Sequence, residues 1–275
     1  MSTAGEDPGG ASAFEARRAA LHERLAALPS VAVAYSGGVD STVLLHAAVR
    51  ALGDRAVAVI ADSPSLPRRE LAEAREQALQ LGARLEIVRT VEGEDPDYQA
   101  NLGQRCYFCK AALFDAMERV AEREQIPFLA FGEIVDDALD DRPGARAARE
   151  RGVLAPLAEA GMSKADVRRY ATEAGLDVAE KPASACLASR IPVGTKVTPE
   201  RLATVEAAEE KLRGLGLRVL RVRHHGELAR VEVGANELAR AMELRSELEE
   251  RLRSAGFREL ELAVYRSPAE RSAGA

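Results

Sequence analysis

Tryptophan is absent from the sequence, and other aromatic residues are few, with six phenylalanines and five tyrosines in 275 residues. Leu, Val and Ala must therefore supply most of the hydrophobic core. No apolar run is long enough to span a bilayer, which excludes a transmembrane helix. Residues 1–13 lack both a basic start and an apolar stretch, so we expect a disordered tail there, another at 268–275, and no signal peptide.

Cysteine and histidine are also scarce, with three and four residues respectively. An odd number of cysteines without a secretion signal argues against a disulfide framework and favours thiol, metal or cluster chemistry in a reducing cytoplasm. Positive charge is not in excess either, because the formal net charge is −6. A nucleic-acid-binding surface needs Lys and Arg to neutralise phosphates, so we expect neither a nucleic-acid nor a membrane partner.

Apolar runs of strand length alternate with segments of helix length in the first part of the chain. Strands are predicted at Val31–Tyr35, Ala56–Ala61, Leu85–Val88 and Ile126–Phe131, and helices at about 41–52, 66–81, 109–124 and 163–175. This alternation predicts an α/β fold in which a parallel sheet is covered by helices on both faces.

The pattern changes after Gly194. A helix is predicted from Thr198 to about Arg213, followed by strands near 217–223 and 229–233, a charged helix at 236–255 and a last strand at 259–265. This αββαβ order predicts a small second domain of the α+β type. We place the boundary near 191–195, which divides the folded chain into domains at 14–192 and 193–267.

A phosphate-binding loop is predicted where the first strand passes into a helix, in the run Ser36-Gly37-Gly38-Val39-Asp40-Ser41. The two glycines let the backbone turn tightly and approach a phosphate, and the free N–H groups of the helix start attract an anion. Ser36 and Ser41 add hydroxyl donors. Asp40 would repel a phosphate unless a divalent cation bridges them, which implies Mg²⁺. A lone Gly-Gly pair would indicate only a turn, but all six residues fit the strand–loop–helix context.

The three cysteines are candidates for chemistry. Cys106 and Cys109 have the C-x-x-C spacing that can bind a metal or cluster or form a redox pair, although buried apolar thiols are the alternative. Cys186 lies among Lys181, Ser184, Ser189 and Arg190, whose donors and positive charge would favour a thiolate. Three cysteines suit an iron–sulfur cluster with one open iron better than a zinc site, which wants a fourth ligand.

The loop resembles the pyrophosphate-binding loop of the N-type ATP pyrophosphatases, which include GMP synthetase, NAD synthetase, asparagine synthetase and tRNA thiolation enzymes. A closer resemblance covers about 31–265. It is to the LarE family, the pyridinium-3,5-biscarboxylic acid mononucleotide sulfurtransferases that serve the nickel-pincer nucleotide cofactor of lactate racemase. The segments that carry it are Ser36–Ser41, Arg105–Lys110, Asp141–Gly144, Pro156–Gly161 and Lys181–Gly194.

This resemblance implies an ATP pyrophosphatase domain at 14–192, a substrate or oligomerisation domain at 193–267, and a homo-oligomer. It also implies a reaction: a substrate carboxylate attacks the α-phosphate of ATP, pyrophosphate leaves into the loop, and sulfur displaces AMP to give a thiocarboxylate. The sulfur source has two alternatives. Cys106, Cys109 and Cys186 can hold a [4Fe-4S] cluster, which we expect because all three are present, or the catalytic Cys186 gives up its own sulfur.

The resemblance assigns further binding roles. Asp62 and Arg190 are expected at the nucleotide, while Arg221, Arg223 and Glu232 are expected around the substrate phosphate and a metal, unless they are ordinary exposed strand charges. Glu206 and Glu209 are candidates for the same metal. One of Glu133, Asp136 and Asp137, which follow the fourth strand, is expected near the nucleotide or Mg²⁺.

Two rival functions remain open at this point. One is another adenylating ATP pyrophosphatase, such as a tRNA thiolation enzyme or an NAD or GMP synthetase-like ligase, although the chain contains no glutaminase domain. The other is a nucleotide-binding regulatory module, which would bind ATP without releasing pyrophosphate and would leave Cys186 without a role.

Overall fold

The structure, a computed structural model, describes residues 8–138, 143–181 and 185–266. The chain forms two compact units. The first contains the described residues up to Asp95 and from Gln104 to Lys181, and the second contains Pro96–Gly103 and the described residues from Ala185 onward. The sequence predicts a boundary near 191–195, whereas the division falls before Ala185. The reason is that residues 187–190 pack against elements of the second unit.

The first unit is built on a four-stranded parallel sheet with the order β3-β2-β1-β4. Its strands are β1 (Val31–Ala34), β2 (Ala56–Asp62), β3 (Arg84–Arg89) and β4 (Leu129–Ala130). Its helices are α1 (Pro8–Ala26), α2 (Val39–Leu52), α3 (Arg68–Gln80), α5 (Arg105–Glu124), α6 (Val135–Ala138), α7 (Pro143–Glu150), α8 (Pro156–Glu159) and α9 (Lys164–Glu173), while α4 (Pro96–Ala100) belongs to the second unit.

The sheet of the first unit is buried on both faces. Along β1, Val31 and Val33 point into a core formed with α1, α2, α3 and α9, whereas Ala32 and Ala34 point into a core formed with α5 and α7. This alternation follows from the two-residue period of a strand. It confirms the predicted α/β class with helices on both faces.

Three elements in the first unit differ most from prediction. Helix α1 begins at Pro8, inside the predicted tail, because it carries Phe14 and Leu21 into the core. Helix α5 begins at Arg105, four residues before the predicted start, so the C-x-x-C pair lies within its first five residues. Strand β4 has only two residues because only those pair with β1.

The second unit contains a three-stranded sheet with the order β5-β6-β7. Its further elements are α10 (Pro199–Arg213), β5 (Leu220–His225), β6 (Leu228–Val233), α11 (Leu238–Glu243), α12 (Arg245–Ser254) and β7 (Glu259–Val264). The predicted αββαβ order is confirmed, except that the helix predicted at 236–255 is interrupted at Leu244. One face of this sheet packs on the helices through Val222, Val231 and Leu248.

None of the helices in the described ranges is long and apolar enough to cross a membrane.

Candidate active site

The predicted phosphate loop connects β1 to the first turn of α2, as expected. Gly37 has φ +70°, a left-handed conformation that lets the chain reverse direction. The loop is tied to itself by the Ser41 hydroxyl, which donates to Gly38 O at 3.1 Å and accepts from Ser36 N at 3.2 Å. Because Gly38 is the N-cap of a 14-residue helix, the loop presents the positive end of that helix dipole to an anion.

Close backbone packing surrounds this loop. A Cβ atom on Gly37 would lie 2.8 Å from Cβ of Ala74 in α3, and one on Gly132 would lie 3.0 Å from Ser41 N. Gly132 follows β4, which pairs with β1 on the side opposite β2. The loop therefore lies at the carboxyl end of β1 where the strand order reverses, with β2 on one side and β4 on the other, which is the usual ligand site of an open parallel sheet. Sequence reasoning did not identify Gly132.

Asp40 is paired with a lysine that sequence reasoning also did not identify. The Lys164 ammonium lies 2.8 Å from both carboxylate oxygens of Asp40. Lys164 is the first residue of α9, and Ser163 and Asp166 form a capping box at the start of that helix. The Lys164 backbone N–H also donates to Asp136 Oδ2 at 2.7 Å. Of the three acidic candidates after β4, Asp136 is thus connected to the phosphate loop through Lys164.

A second lysine lies at the other end of the loop. Lys181 Nζ lies 3.4 Å from Gly37 O, 3.3 Å from Glu73 Oε2 and 3.9 Å from Glu70 Oε2. Burial alone would raise the pKa of Glu73, but hydrogen bonds from Arg69 and Lys181 hold that pKa below its usual value. Lysine is scarce in the sequence, which has five, at 110, 164, 181, 196 and 211, among 38 Lys and Arg residues. This scarcity was the signal that could have pointed to Lys164 and Lys181.

Asp62 ends β2, and its carboxylate accepts a hydrogen bond from Arg68. Next to it, the Ser63 hydroxyl donates to Glu92, a carboxylate that is 2% exposed, and lies 2.8 Å from the Ser65 hydroxyl. This buried network orders the segment after β2. The adenosine contact expected for Asp62 stays a prediction.

Cys106 and Cys109 both lie among the first five residues of α5, with the first side chain exposed and the second half-buried. Cys186 belongs to the other unit. Within the described ranges, no three His, Cys, Asp or Glu side chains form a group that could hold a metal ion. The structure therefore does not support the predicted [4Fe-4S] site. The Asp141–Gly144 segment and Ser184 fall partly or wholly outside the described residues.

Cys186 is held at the start of a 3-10 turn, Leu187–Arg190, by a network that sequence reasoning did not identify. Its carbonyl accepts from Ser189 N at 2.9 Å and from the Arg190 guanidinium at 3.0 Å. Arg190 is 3% exposed and pairs through Nε with Glu209 Oε1 at 2.8 Å. The same Glu209 oxygen accepts from Val222 N in β5 at 3.0 Å. Arg190 and Glu209 thus anchor the cysteine turn to α10 and β5, and the nucleotide contact expected for Arg190 stays a prediction.

Arg221 and Arg223 lie on one face of β5, as their spacing predicts, and the core residue Val222 points to the other face. Arg223 donates from Nε to Glu232 Oε1 at 2.6 Å and from its terminal nitrogen to Ser189 O at 2.9 Å. The Arg221 guanidinium lies 5.8 Å from the centre of the Tyr265 ring. Of the two predicted phosphate-binding arginines, Arg223 therefore contacts the turn that carries Cys186.

Comparison with known proteins gives the following results. No family model matches the chain. It is 35% identical over 254 residues to the pyridinium-3,5-bisthiocarboxylic acid mononucleotide synthase of Lactiplantibacillus plantarum, which covers 91% of this chain and 92% of that protein. It is 42% identical over 225 residues to an uncharacterized protein of Synechocystis sp., covering 82% and 84%. A GMP synthase of Chlamydia caviae matches at 29% identity over 44% of this chain and 24% of its own.

Proposed function

This chain belongs to the LarE family of sulfurtransferases, and we propose that it converts the carboxylates of a pyridinium-3,5-biscarboxylic acid mononucleotide into thiocarboxylates with cleavage of ATP. The observation that carries the proposal is the hydrogen-bonded connection from Cys186 through Ser189 to Arg223. It joins a candidate sulfur group to a candidate binding group for the substrate phosphate, within one compact unit.

Activation of the carboxylate is assigned to the first unit. The loop Ser36–Ser41 supplies glycine backbone, two hydroxyls and a helix N-terminus to the phosphates of ATP. Asp40 and Asp136, which share Lys164 as a partner, have the carboxylate oxygens that would hold Mg²⁺. When bound, Mg²⁺ neutralises phosphate charge. A carboxylate is a poor acyl donor, and its adenylation supplies AMP as a good leaving group.

Substrate binding and sulfur transfer are assigned to the second unit. Arg221 and Arg223, two residues apart on one strand face, can bind the two sides of a phosphate. The Arg190–Glu209 pair fixes the backbone of the cysteine turn. The Cys186 carbonyl is therefore connected to β5 through Arg190 and Glu209, and the Ser189 carbonyl of the same turn accepts from Arg223.

The sulfur source has two proposed forms. Cys186 can give up its own sulfur in two steps. Its thiolate displaces AMP from the acyl adenylate to form a thioester, and loss of the α-proton then breaks the Cβ–S bond, which releases the thiocarboxylate and leaves dehydroalanine. Alternatively, Cys106, Cys109 and Cys186 would together hold a [4Fe-4S] cluster, which would supply sulfide to displace AMP. The presence of Cys106 and Cys109 in one helical turn favours the second form, and the absence of a metal-binding group among the described residues favours the first.

The test is anaerobic purification with iron and sulfide analysis, followed by pyrophosphate release and intact-mass measurement with ATP and the biscarboxylate mononucleotide. We expect substrate-dependent pyrophosphate release and a thiocarboxylate product. Loss of the mass of H₂S from the chain identifies Cys186 as the donor. Cluster iron with an unchanged chain mass identifies the three-cysteine form.

The matched variants are Cys186→Ser and Cys106→Ser. If Cys186 is the sole donor, only the first abolishes thiocarboxylate formation, while both release pyrophosphate. If a cluster is required, both variants lose product and iron together. ATP binding without substrate-dependent pyrophosphate release would refute the proposal and leave the regulatory alternative.

A further inference from the structure

Lys181 is placed at the phosphate loop but is weakly held there. Its ammonium lies at 3.3–3.9 Å from Glu73, Gly37 O and Glu70. Charge-assisted hydrogen bonds of this kind are usually about 2.7–2.9 Å long. Lys164, at the other end of the loop, shows the tight form with two contacts of 2.8 Å to Asp40. The two lysines thus differ in how firmly their present partners hold them.

Glu73 does not depend on Lys181 for a countercharge. Its other carboxylate oxygen accepts from Arg69 Nε at 2.7 Å, four residues earlier on the same helix. If Lys181 moved away, Glu73 would keep this shorter ion pair. Partner exchange by Lys181 therefore leaves no buried charge uncompensated, since the Glu73 side chain is 36% exposed.

The loop needs a cation of this kind when its reaction product forms. In adenylation the bond between the α-phosphorus and its bridging oxygen breaks, and the electron pair leaves with pyrophosphate while a carboxylate oxygen bonds to phosphorus. The leaving group is then strongly anionic. The hydroxyls and N–H groups of the loop are neutral, and the Lys164 ammonium is matched by Asp40. Lys181, 3.4 Å from Gly37 O, is a cation next to the loop with loose contacts.

We propose that Lys181 is a pyrophosphate-binding residue, which exchanges Glu73 for the leaving pyrophosphate. This inference rests on the proposed function, because it takes Ser36–Ser41 as the pyrophosphate site. A flexible, compact ammonium suits the exchange better than the planar guanidinium that this chain uses at most of its ion pairs.

The experiment is titration calorimetry of the full chain with inorganic pyrophosphate and Mg²⁺. Lys181→Met is expected to weaken binding about tenfold or more, the usual effect of losing a hydrogen bond to a charged group. Glu73→Gln is expected to tighten binding about two- to fivefold, because it removes the competing partner. In the double variant, Glu73→Gln should have no further effect. Lys211→Met, on the exposed surface of α10, is the control for the loss of one positive charge.

Opposite effects of the two single variants separate ligand binding from structural support. If the Lys181–Glu73 pair only stabilised the fold, both variants would weaken binding or neither would change it, and the proposal would be overturned. If the wild-type chain failed to bind pyrophosphate, the assignment of Ser36–Ser41 as the nucleotide loop in the proposed function would also be overturned. Binding by the wild type with equal affinity in Lys181→Met would overturn the role of Lys181 alone.

Discussion

Gly37 combines a left-handed backbone with a close neighbour, and each feature has its own energetic consequence. Its φ of +70° disfavours any residue with a Cβ atom, and that atom would lie 2.8 Å from Cβ of Ala74. The first effect costs about 1–2 kcal/mol. The second requires α3 to move away from the loop, because neither Ala74 nor the backbone can yield by rotating a side chain.

Gly37→Ala is therefore expected to lower the free energy of unfolding by more than about 2 kcal/mol and to abolish ATP binding. The matched control is Gly82→Ala, since Gly82 also has φ +70° but a methyl group added there would meet no atom within 4 Å. Urea denaturation and ATP titration check both variants. Equal losses of stability in the two would show that the contact with Ala74 has no effect.

At the scale of elements, one buried ion pair joins the cysteine turn, helix α10 and strand β5. The Arg190 and Glu209 side chains are 3% and 8% exposed. Removing one partner of such a pair leaves the other charge buried, which costs about 3–5 kcal/mol. Arg190→Met is therefore expected to destabilise the chain by about that amount and to slow sulfur transfer, because the turn that carries Cys186 loses its anchor.

The double variant Arg190→Met/Glu209→Gln tests this explanation. The amide oxygen of Gln can still accept from Val222 N, and no charge is left without a partner, so part of the lost stability should return. Urea denaturation gives the comparison. A double variant no more stable than Arg190→Met alone would contradict the account based on the buried charge.

A second polar cluster joins helices α1, α2 and α9 in the first unit. The Tyr170 hydroxyl lies 3.0 Å from His46 Nδ1 and 3.4 Å from His22 Nε2. Burial lowers the pKa of both histidines, with Arg50 lowering both further and Arg18 also acting on His22. Burial raises the pKa of Tyr170 to about 12, so its hydroxyl keeps its proton at neutral pH. The folded state therefore favours neutral histidines.

The sign of the pH dependence follows from these pKa shifts. Because the folded pKa values lie below the unfolded value of about 6.5, the unfolded chain binds more protons as the pH falls through that value, and stability decreases. We expect Tm to fall between about pH 7.5 and 6.0, on either side of that unfolded pKa, and to fall less in a His22→Gln/His46→Gln variant. Calorimetric melts of both proteins at both pH values provide the measurement. An identical decrease in Tm in the wild type and the variant would contradict the role of the two histidines.

At the scale of the whole molecule, the candidate groups are divided between the two units. The nucleotide loop with Lys164 and Lys181 belongs to the first, whereas Cys186, Arg221 and Arg223 belong to the second. The nucleotide-binding group and the substrate-binding group have no residue in common. Binding of ATP and binding of the mononucleotide substrate are therefore expected to respond to different substitutions.

Arg221→Gln is expected to weaken binding of the mononucleotide about tenfold or more without changing the affinity for ATP. Ser41→Ala should do the reverse, because it removes a hydroxyl of the phosphate loop. Calorimetric titration of each ligand against each variant completes the comparison. A loss of both affinities in either variant would show that the two functions are not divided in this way.

Local sequence patterns were sufficient to predict much of the fold. All seven strands of the described ranges were predicted, because each is a short apolar or alternating run between turn residues. The two arginines on one face of β5 were predicted from the strand periodicity, whereas α2 was predicted from Ser41 and begins two residues earlier, at Val39. The prediction of one unbroken helix over 236–255 was wrong at Leu244. The helix is interrupted there, and both parts, α11 and α12, pack against β7 of the small sheet.

The sequence by itself determined the elements and the candidate chemistry, since the loop, the cysteines and the strand periodicity are properties of neighbouring residues. Only the tertiary structure decided which distant groups meet. Lys164 lies 124 residues from Asp40, and Lys181 lies 108 residues from Glu73. Such pairs depend on how sheets and helices pack, and packing is set by the whole core and not by any local pattern. The partners of the phosphate loop could therefore not be read before the fold was known.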